Sequence, residues 1–221
     1  MAQLISGGGF RALEELKAGG EISAYGAGVN HGGTISRYLE CCDLDFFLAS
    51  QIYSLLHHST RATEHCTEES VAAGASMAEL QQCVQRGVGV IAATAFNAGI
   101  LVSGTANATA EAPVICNYRP ATADEISRTQ NIEGVCAAHG VSLPAAALQF
   151  SLAHPAVASL VTGTGSAAES AECLGWLAEA IPLELWAQLK AEGAIHADAH
   201  TPAVVQNEGG FVRNAAGGNQ C

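Results

Sequence analysis

Positive charge is scarce in this chain. Nine Lys and Arg stand against 21 Asp and Glu in 221 residues, a formal net charge of −12. The cations are spread singly from Arg11 to Arg213, so no basic patch forms, and neither nucleic acid nor anionic membrane is expected as a partner. Long hydrophobic runs are lacking too. The longest apolar stretches, around Val88–Phe96 and Leu143–Ala153, are too short or too interrupted to span a bilayer. The first nine residues, Met-Ala-Gln-Leu-Ile-Ser-Gly-Gly-Gly, hold no basic segment and no long apolar one. A signal peptide is therefore not supported, and the expected compartment is the cytoplasm. Eight cysteines are present, but no pair has Cys-x-x-Cys spacing, and they read as mostly buried thiols rather than a disulfide framework. Charged residues make up only 14% against 49% apolar, which argues for a packed interior over disorder.

The most informative stretch is 157–176. Val157 to Val161 is a short β-branched and apolar run, the pattern of a fully buried strand. It ends in Thr162-Gly163-Thr164-Gly165, and Ser166 with Glu169 three positions on forms a capping box that opens a helix. A strand, a glycine turn and a helix start together offer an anion seat, because free N–H groups and the positive dipole end point outward. The same residues also serve an ordinary strand-to-helix connection.

The rest of the chain alternates in the same way. An amphipathic helix over 10–19 ends at a glycine, and a small-residue strand over 22–29 follows. A helix over 34–42 and a strand over 46–52 come next, then an irregular segment over 53–75 rich in His, Thr and Glu. Ser76 and Glu79 form a second capping box, ahead of a buried strand over 88–93. A polar loop over 103–119 precedes a third capping box, Thr122 with Glu125. Ser142-Leu143-Pro144 opens a further helix with proline in its first turn, and the last helices cover 167–178 and 182–192. Strand–helix alternation of this kind predicts an α/β layout with a parallel sheet, with functional residues at the carboxyl ends of the strands. From 203 onward glycine and asparagine are frequent, and a loose tail over 203–221 is expected after one unit over 1–202.

Several words of the sequence resemble the aldo-keto reductase superfamily, in particular its aldose dehydrogenase branch. They are Ala12-Leu-Glu-Glu-Leu-Lys, Tyr25-Gly-Ala-Gly-Val-Asn30, Ala95-Phe-Asn-Ala-Gly-Ile-Leu101, Ala145-Ala-Ala-Leu-Gln-Phe, Leu152-Ala-His-Pro-Ala-Val-Ala-Ser159 and Leu185-Trp-Ala-Gln-Leu-Lys-Ala-Glu-Gly193. The likeness runs over about 10–202. It implies a (β/α)8 barrel of the TIM type, here incomplete: the second half, about four strand–helix units. It also implies NAD(P)-dependent oxidation of an aldose or reduction of a small aldehyde.

By the same resemblance, Asn30 and Gln51 hold the nicotinamide carboxamide, and Thr94, Phe96, Asn97 and Gly99 wrap the pyrophosphate. Gly163 and Ser166 take the adenosine end. Gly165 stands where an Arg often clamps a 2′-phosphate, so NAD is expected over NADP. The family's Asp, Tyr, Lys and His tetrad belongs to the first half. Lys17 and Lys190 are the only lysines and lie in helical contexts, and none of Tyr25, Tyr38, Tyr53 or Tyr118 stands at the proton donor's place, so no catalytic residue is carried over. Activity is accordingly expected to be impaired; the competing expectation is a non-catalytic, truncated homologue that binds nucleotide or a partner. Half a barrel also leaves open edges that invite self-association. His57, His58, His65 and Cys66 form the densest cluster of ligand-type residues, but their spacing fits no standard zinc pattern and no metal is expected.

Overall fold

Four short runs of small and β-branched residues pair side by side in one parallel sheet: β1 (Gly26–Val29), β2 (Phe46–Ser50), β3 (Gly89–Ala93) and a fourth over Val157–Val161. The structure is a computed structural model and describes residues 2–30, 33–58, 77–106 and 113–203. Helices fill the connections. In chain order they are α1 (Ala2–Ser6), α2 (Gly9–Ala18), α3 (Thr34–Cys41), α4 (Met77–Arg86) and α5 (Ile100–Ser103). Next come α6 (Ala123–Ala138), α7 (Leu143–Leu152), α8 (Ala167–Ala178) and α9 (Leu183–Ala191). A two-residue hairpin, β4 (Ile115–Cys116) with β5 (Arg119–Pro120), precedes α6, so the strand over Val157–Val161 is β6. The parallel α/β reading of the sequence holds. Among the described residues the sheet runs β1-β2-β3-β6, with β1 and β6 at its edges, and no helix there is long and apolar enough to cross a membrane.

The register assigns the two faces of the sheet. Ala27 pairs with Phe47 and Val29 with Ala49, while Phe47 pairs with Val90 and Ala49 with Ala92. Paired residues of parallel strands share a face. Phe47, Ala49, Val90 and Ala92 are all buried against the helices, where Ile35 and Leu39 of α3, Leu80 and Cys83 of α4, and Phe150 of α7 complete one core. Each fully buried Leu or Phe contributes about 1.5–3 kcal/mol relative to its exposed state. The opposite face carries Leu48 and Val161, which stay 40% and 51% exposed.

Several expectations change. β1 begins at Gly26 rather than at 22, and a Cβ on Gly26 would stand 2.5 Å from the Phe46 carbonyl oxygen, so strand pairing there requires glycine. β6 is not fully buried: Ala158, Ser159 and Val161 are exposed, because it is an edge strand with one uncovered face, which its apolar composition could not disclose. The polar loop expected over 103–119 holds the hairpin, and α5 precedes it. Thr122 and Glu125 cap α6 reciprocally as expected. Ser142 does not cap α7; its hydroxyl donates instead to Glu179 Oε2 at 2.6 Å. Ser76, His65, Cys66 and the expected tail beyond 203 lie outside the described residues. Of the six described cysteines, Cys42, Cys83, Cys116 and Cys136 are buried and Cys41 is exposed.

Candidate functional site

The carboxyl ends of the four strands lie along one edge and deliver Asn30, Gln51, Thr94 and Thr162-Gly163. Asn30 follows β1 and is exposed. Gln51 follows β2 in the left-handed region, φ 54°, and Thr94 follows β3 at φ 61°. For a β-branched residue that conformation is a genuine outlier. The two are tied across the strands. The Gln51 backbone N–H donates to Thr94 Oγ1 at 2.7 Å, and that hydroxyl donates onward to the Ala93 carbonyl at 2.6 Å. Asn97 and Ala98 are left-handed as well, at φ 49° and 60°. Residues held there cost about 1–3 kcal/mol each and persist where their surroundings over-determine them, commonly at ligand sites.

The β3 loop is closed by its own backbone. Asn97 N donates to the Thr94 carbonyl at 2.9 Å, and Gly99 N donates to the Phe96 carbonyl at 3.0 Å. Phe96 leans edge-on against Trp176 of α8, with ring centroids 5.8 Å apart. Gly99, at φ 113°, ends the turn. The Asn97 side chain points into the protein, with no exposed surface. Its Nδ2 donates to His57 Nδ1 at 2.8 Å and to Asn117 Oδ1 at 3.2 Å. Its side chain therefore ties the loop to the segment after β2 and to the hairpin.

At the β6 end, Gly163 and Ser166 are exposed. Ser166 Oγ accepts from Glu169 N at 3.2 Å, the capping bond expected. Glu169 itself turns back to Gly165, whose N–H donates to its Oε2 at 2.7 Å. The anion seat read from the sequence thus already carries a carboxylate of the chain's own.

Behind the β3 loop stands a polar block that the sequence did not disclose. Glu125 at the start of α6 receives both terminal nitrogens of Arg119, each at 2.9 Å, the Cys116 thiol at 3.3 Å and the Thr122 N–H at 2.8 Å. Burial would raise its carboxyl, but these donors outweigh that and bring it down to about 2. His57 Nε2 lies 3.9 Å from Glu125 Oε1. Burial, aided by Arg128 and Arg119 and opposed by Glu125, lowers His57 to about 4. The sequence signals of this block were the Thr122–Glu125 capping box and His57 within the histidine-rich segment.

A second histidine group lies beside it. His58 Nδ1 stands 2.9 Å from the Ser54 carbonyl, and its Nε2 accepts from His196 N at 2.9 Å. Tyr53 is buried, stacks on Phe150 at 4.7 Å and donates to the His200 carbonyl at 2.8 Å. Loop histidines of this composition are usually solvated; these two are engaged. Among the described residues no group of three His, Cys, Asp or Glu is placed to hold a metal ion. Lys17 pairs with Asp45, and Tyr25 hydroxyl meets Glu14 at 3.4 Å.

Parallel strands backed by helices, with polar groups gathered at their carboxyl ends, define an α/β protein of the kind in which ligands generally meet the strands' carboxyl ends. The chain belongs to the aldo/keto reductase family, whose sequence profile matches residues 8–192. It is 35% identical over 192 residues to pyridoxal 4-dehydrogenase of Microbacterium luteolum, covering 87% of this chain and 50% of that protein. It is 30% identical over 180 residues to D-threo-aldose 1-dehydrogenase of a Pseudomonas species, covering 81% and 49%. The chain thus spans about half the length of the curated relatives it matches. Among solved structures, aldo-keto reductase AKR11C1 from Bacillus halodurans (holo form) superposes with a TM-score of 0.58 at 21% identity, over 90% of this chain and 57% of that one. That likeness speaks to the fold alone.

Proposed function

We propose that this chain carries the dinucleotide side of an NAD(P)-dependent oxidoreductase, and that NAD is preferred to NADP. The observation that carries the reading is the edge where an exposed Asn30 amide sits beside Gln51 and Thr94, two non-glycine residues held left-handed and tied to one another. Strain of that kind needs a reason, and a ligand at the strand ends supplies one.

The residues fit a dinucleotide in part. Asn30 and Gln51 would hold the nicotinamide carboxamide, since neither side-chain amide hydrogen-bonds another of the described residues and the two end adjacent strands. The pyrophosphate would meet the backbone of 94–99, because the Asn97 side chain is spent inward. Adenosine would lie along 163–166, where the Glu169 carboxylate repels a 2′-phosphate and can accept from ribose hydroxyls. When bound, the dinucleotide supplies hydride exchange with a substrate carbon. This chain's own residues orient it and exclude water from one side through Phe96 and Trp176.

The two curated relatives are named for pyridoxal and for D-threo-aldoses, and both names denote aldehyde carbon. A small aldehyde or an aldose is the substrate class proposed. The four strands are proposed to be the cofactor half of the barrel. The proton-transfer groups would come from the other half, and a positioned acid is worth about 10²–10⁴-fold; the isolated chain is proposed to be impaired to that degree.

Titration with NADH and NADPH, followed through quenching of Trp176 emission, tests the reading. Saturable binding, tighter for NADH, is expected. No binding of either at millimolar concentration overturns it and leaves a non-catalytic homologue.

A further inference from the structure

We infer that His57 is a positioning residue for the β3 loop: by accepting from Asn97 it holds residues 94–99 in their strained turn. This deepens the proposed function and rests on it in so far as the loop serves a dinucleotide.

Three of the loop's non-glycine residues, Thr94, Asn97 and Ala98, sit at positive φ. Such a turn needs anchoring from outside, because relaxed backbone alternatives lie lower in energy at each position. The short backbone bonds within 94–101 close the turn without fixing it to the rest of the protein. Thr94 is tied to Gln51 and Phe96 rests on Trp176, but the left-handed centre of the turn is fixed through Asn97, which has no exposed surface. Asn117 N donates to the Asn97 carbonyl at 3.1 Å, and Asn97 Nδ2 donates to His57 Nδ1 and Asn117 Oδ1. Asn97 Oδ1 is buried without a hydrogen-bond partner, so the side chain is held by its donor end alone. His57 comes from the segment after β2, forty residues away, and its own backbone is set by a turn in which Ser54 N donates to the His57 carbonyl at 2.9 Å.

The bond also fixes the imidazole's tautomer. An Nδ1 that accepts leaves the proton on Nε2, which faces the Glu125 carboxylate of α6. Among the described residues, the other charged and titratable groups around the ring are Arg119 of β5, Arg128 of α6, the neighbouring His58 and the Cys116 thiol bonded to Glu125. A protonated ring would turn an N–H toward the Asn97 amide N–H, two donors face to face. Turning the amide over to offer Oδ1 would take its donor away from Asn117. Only the neutral ring therefore holds the loop as seen.

The test compares His57→Phe, which keeps a flat ring and removes the acceptor, with His57→Asn, whose amide oxygen reaches the place of Nδ1. In the ligand-free proteins, hydrogen exchange at the Gly99 and Leu101 amides reads the loop directly. Faster exchange in His57→Phe and near-wild-type exchange in His57→Asn are expected. NADH affinity should fall about five- to tenfold in the first variant, the loss of roughly one net hydrogen bond. Unchanged loop exchange in His57→Phe, or equal loosening in both variants, overturns the proposal. Nitrogen-15 resonances of the wild-type imidazole need no variant: the Nε2–H tautomer at pH 7 is expected, and an Nδ1–H tautomer overturns the proposal. Because exchange and tautomer are read without cofactor, a failure to bind NADH would refute the proposed function and leave this inference separately decided.

Discussion

Acid should unfold this protein through its histidines before its carboxylates are reached. His57, His58 and His154 are each lowered by burial from 6.5 to about 4. For His58 the geometry explains why the charged form is rejected: its Nε2 accepts from His196 N at 2.9 Å, so a proton there would oppose an N–H. The folded values lie below the unfolded one, so the unfolded chain binds more protons between them. Stability is therefore full above about pH 6.5 and is lost as pH falls toward about 4. With these values each histidine costs about 2 kcal/mol at pH 5, and the three together about 6 kcal/mol, against a typical domain stability of roughly 5–15 kcal/mol.

Glu125 acts in a different window. Its carboxyl is brought down to about 2, so its contribution is present above its ordinary value of 4.5 and is lost only as pH falls below that. The net charge of −12 opposes folding by self-repulsion and eases in acid, but this is largely screened at about 0.15 M salt. Urea unfolding at pH 7.5, 6.0 and 5.0 in that salt, followed by circular dichroism, measures the slope. It should approach three protons, about 4 kcal/mol per pH unit, near pH 5. His58→Leu should reduce the slope by about a third. A urea midpoint that stays level from pH 7.5 to 5.0 would refute the assignment of these imidazoles as buried and neutral.

Other substitutions separate the two faces of the sheet and the two ends of the site. Leu80→Ala removes a side chain with no exposed surface and should cost about 2–5 kcal/mol, whereas Leu48→Ala, 40% exposed, should move the urea midpoint little. Leu48 and Val161 share the uncovered face of the sheet, and the chain is expected to self-associate through it; Val161→Lys should shift sedimentation toward monomer, and a wild type that is monomeric across micromolar concentrations would refute this. Glu169→Arg removes the carboxylate at the α8 start, and the ratio of NADPH to NADH affinity should rise about three- to tenfold. Equal ratios before and after would remove Glu169 from cofactor selection.

What was legible in the sequence is what depends on neighbours along the chain. The bounds of β6 and α8, the Thr122–Glu125 box on α6, the Ser166 cap and the parallel alternation all follow from periodicity and from donors left free at helix starts. Long-range facts were not legible. The exposure of β6 depends on what lies across its inner face, and an apolar run reads the same at a sheet's centre and at its edge. Ser142 reads as a cap, yet Glu179, 37 residues on, takes its hydroxyl. Asn97 reads as a ligand residue from the family pattern, but His57 and Asn117 draw its side chain inward. Of the residues named from the family pattern, Asn30, Gln51, Thr94, Phe96 and Gly99 follow β1, β2 and β3 at the carboxyl ends of neighbouring strands. Gly163 and Ser166 lie beyond β6 under a carboxylate that spacing alone identified only as a cap.

The two ends of the site are therefore stabilised by different physics. At β6 everything is local: Ser166, Glu169 and Gly165 satisfy one another within five residues and remain exposed, so a ligand there competes with bonds that water can replace at little cost. At β2 and β3 the strained Gln51, Thr94 and Asn97 are held by contacts that cross from the segment after β2 to the hairpin and α6. Those contacts are partly buried, and a polar group fully buried without its partner costs about 1–3 kcal/mol. On the proposed reading, substitutions at the β6 end should change the preference between NADH and NADPH while leaving the fold intact. At the β3 end, if His57 positions the loop as proposed, Arg119→Ala should speed hydrogen exchange at the Gly99 and Leu101 amides through Glu125 and His57, and unchanged exchange there would refute that coupling.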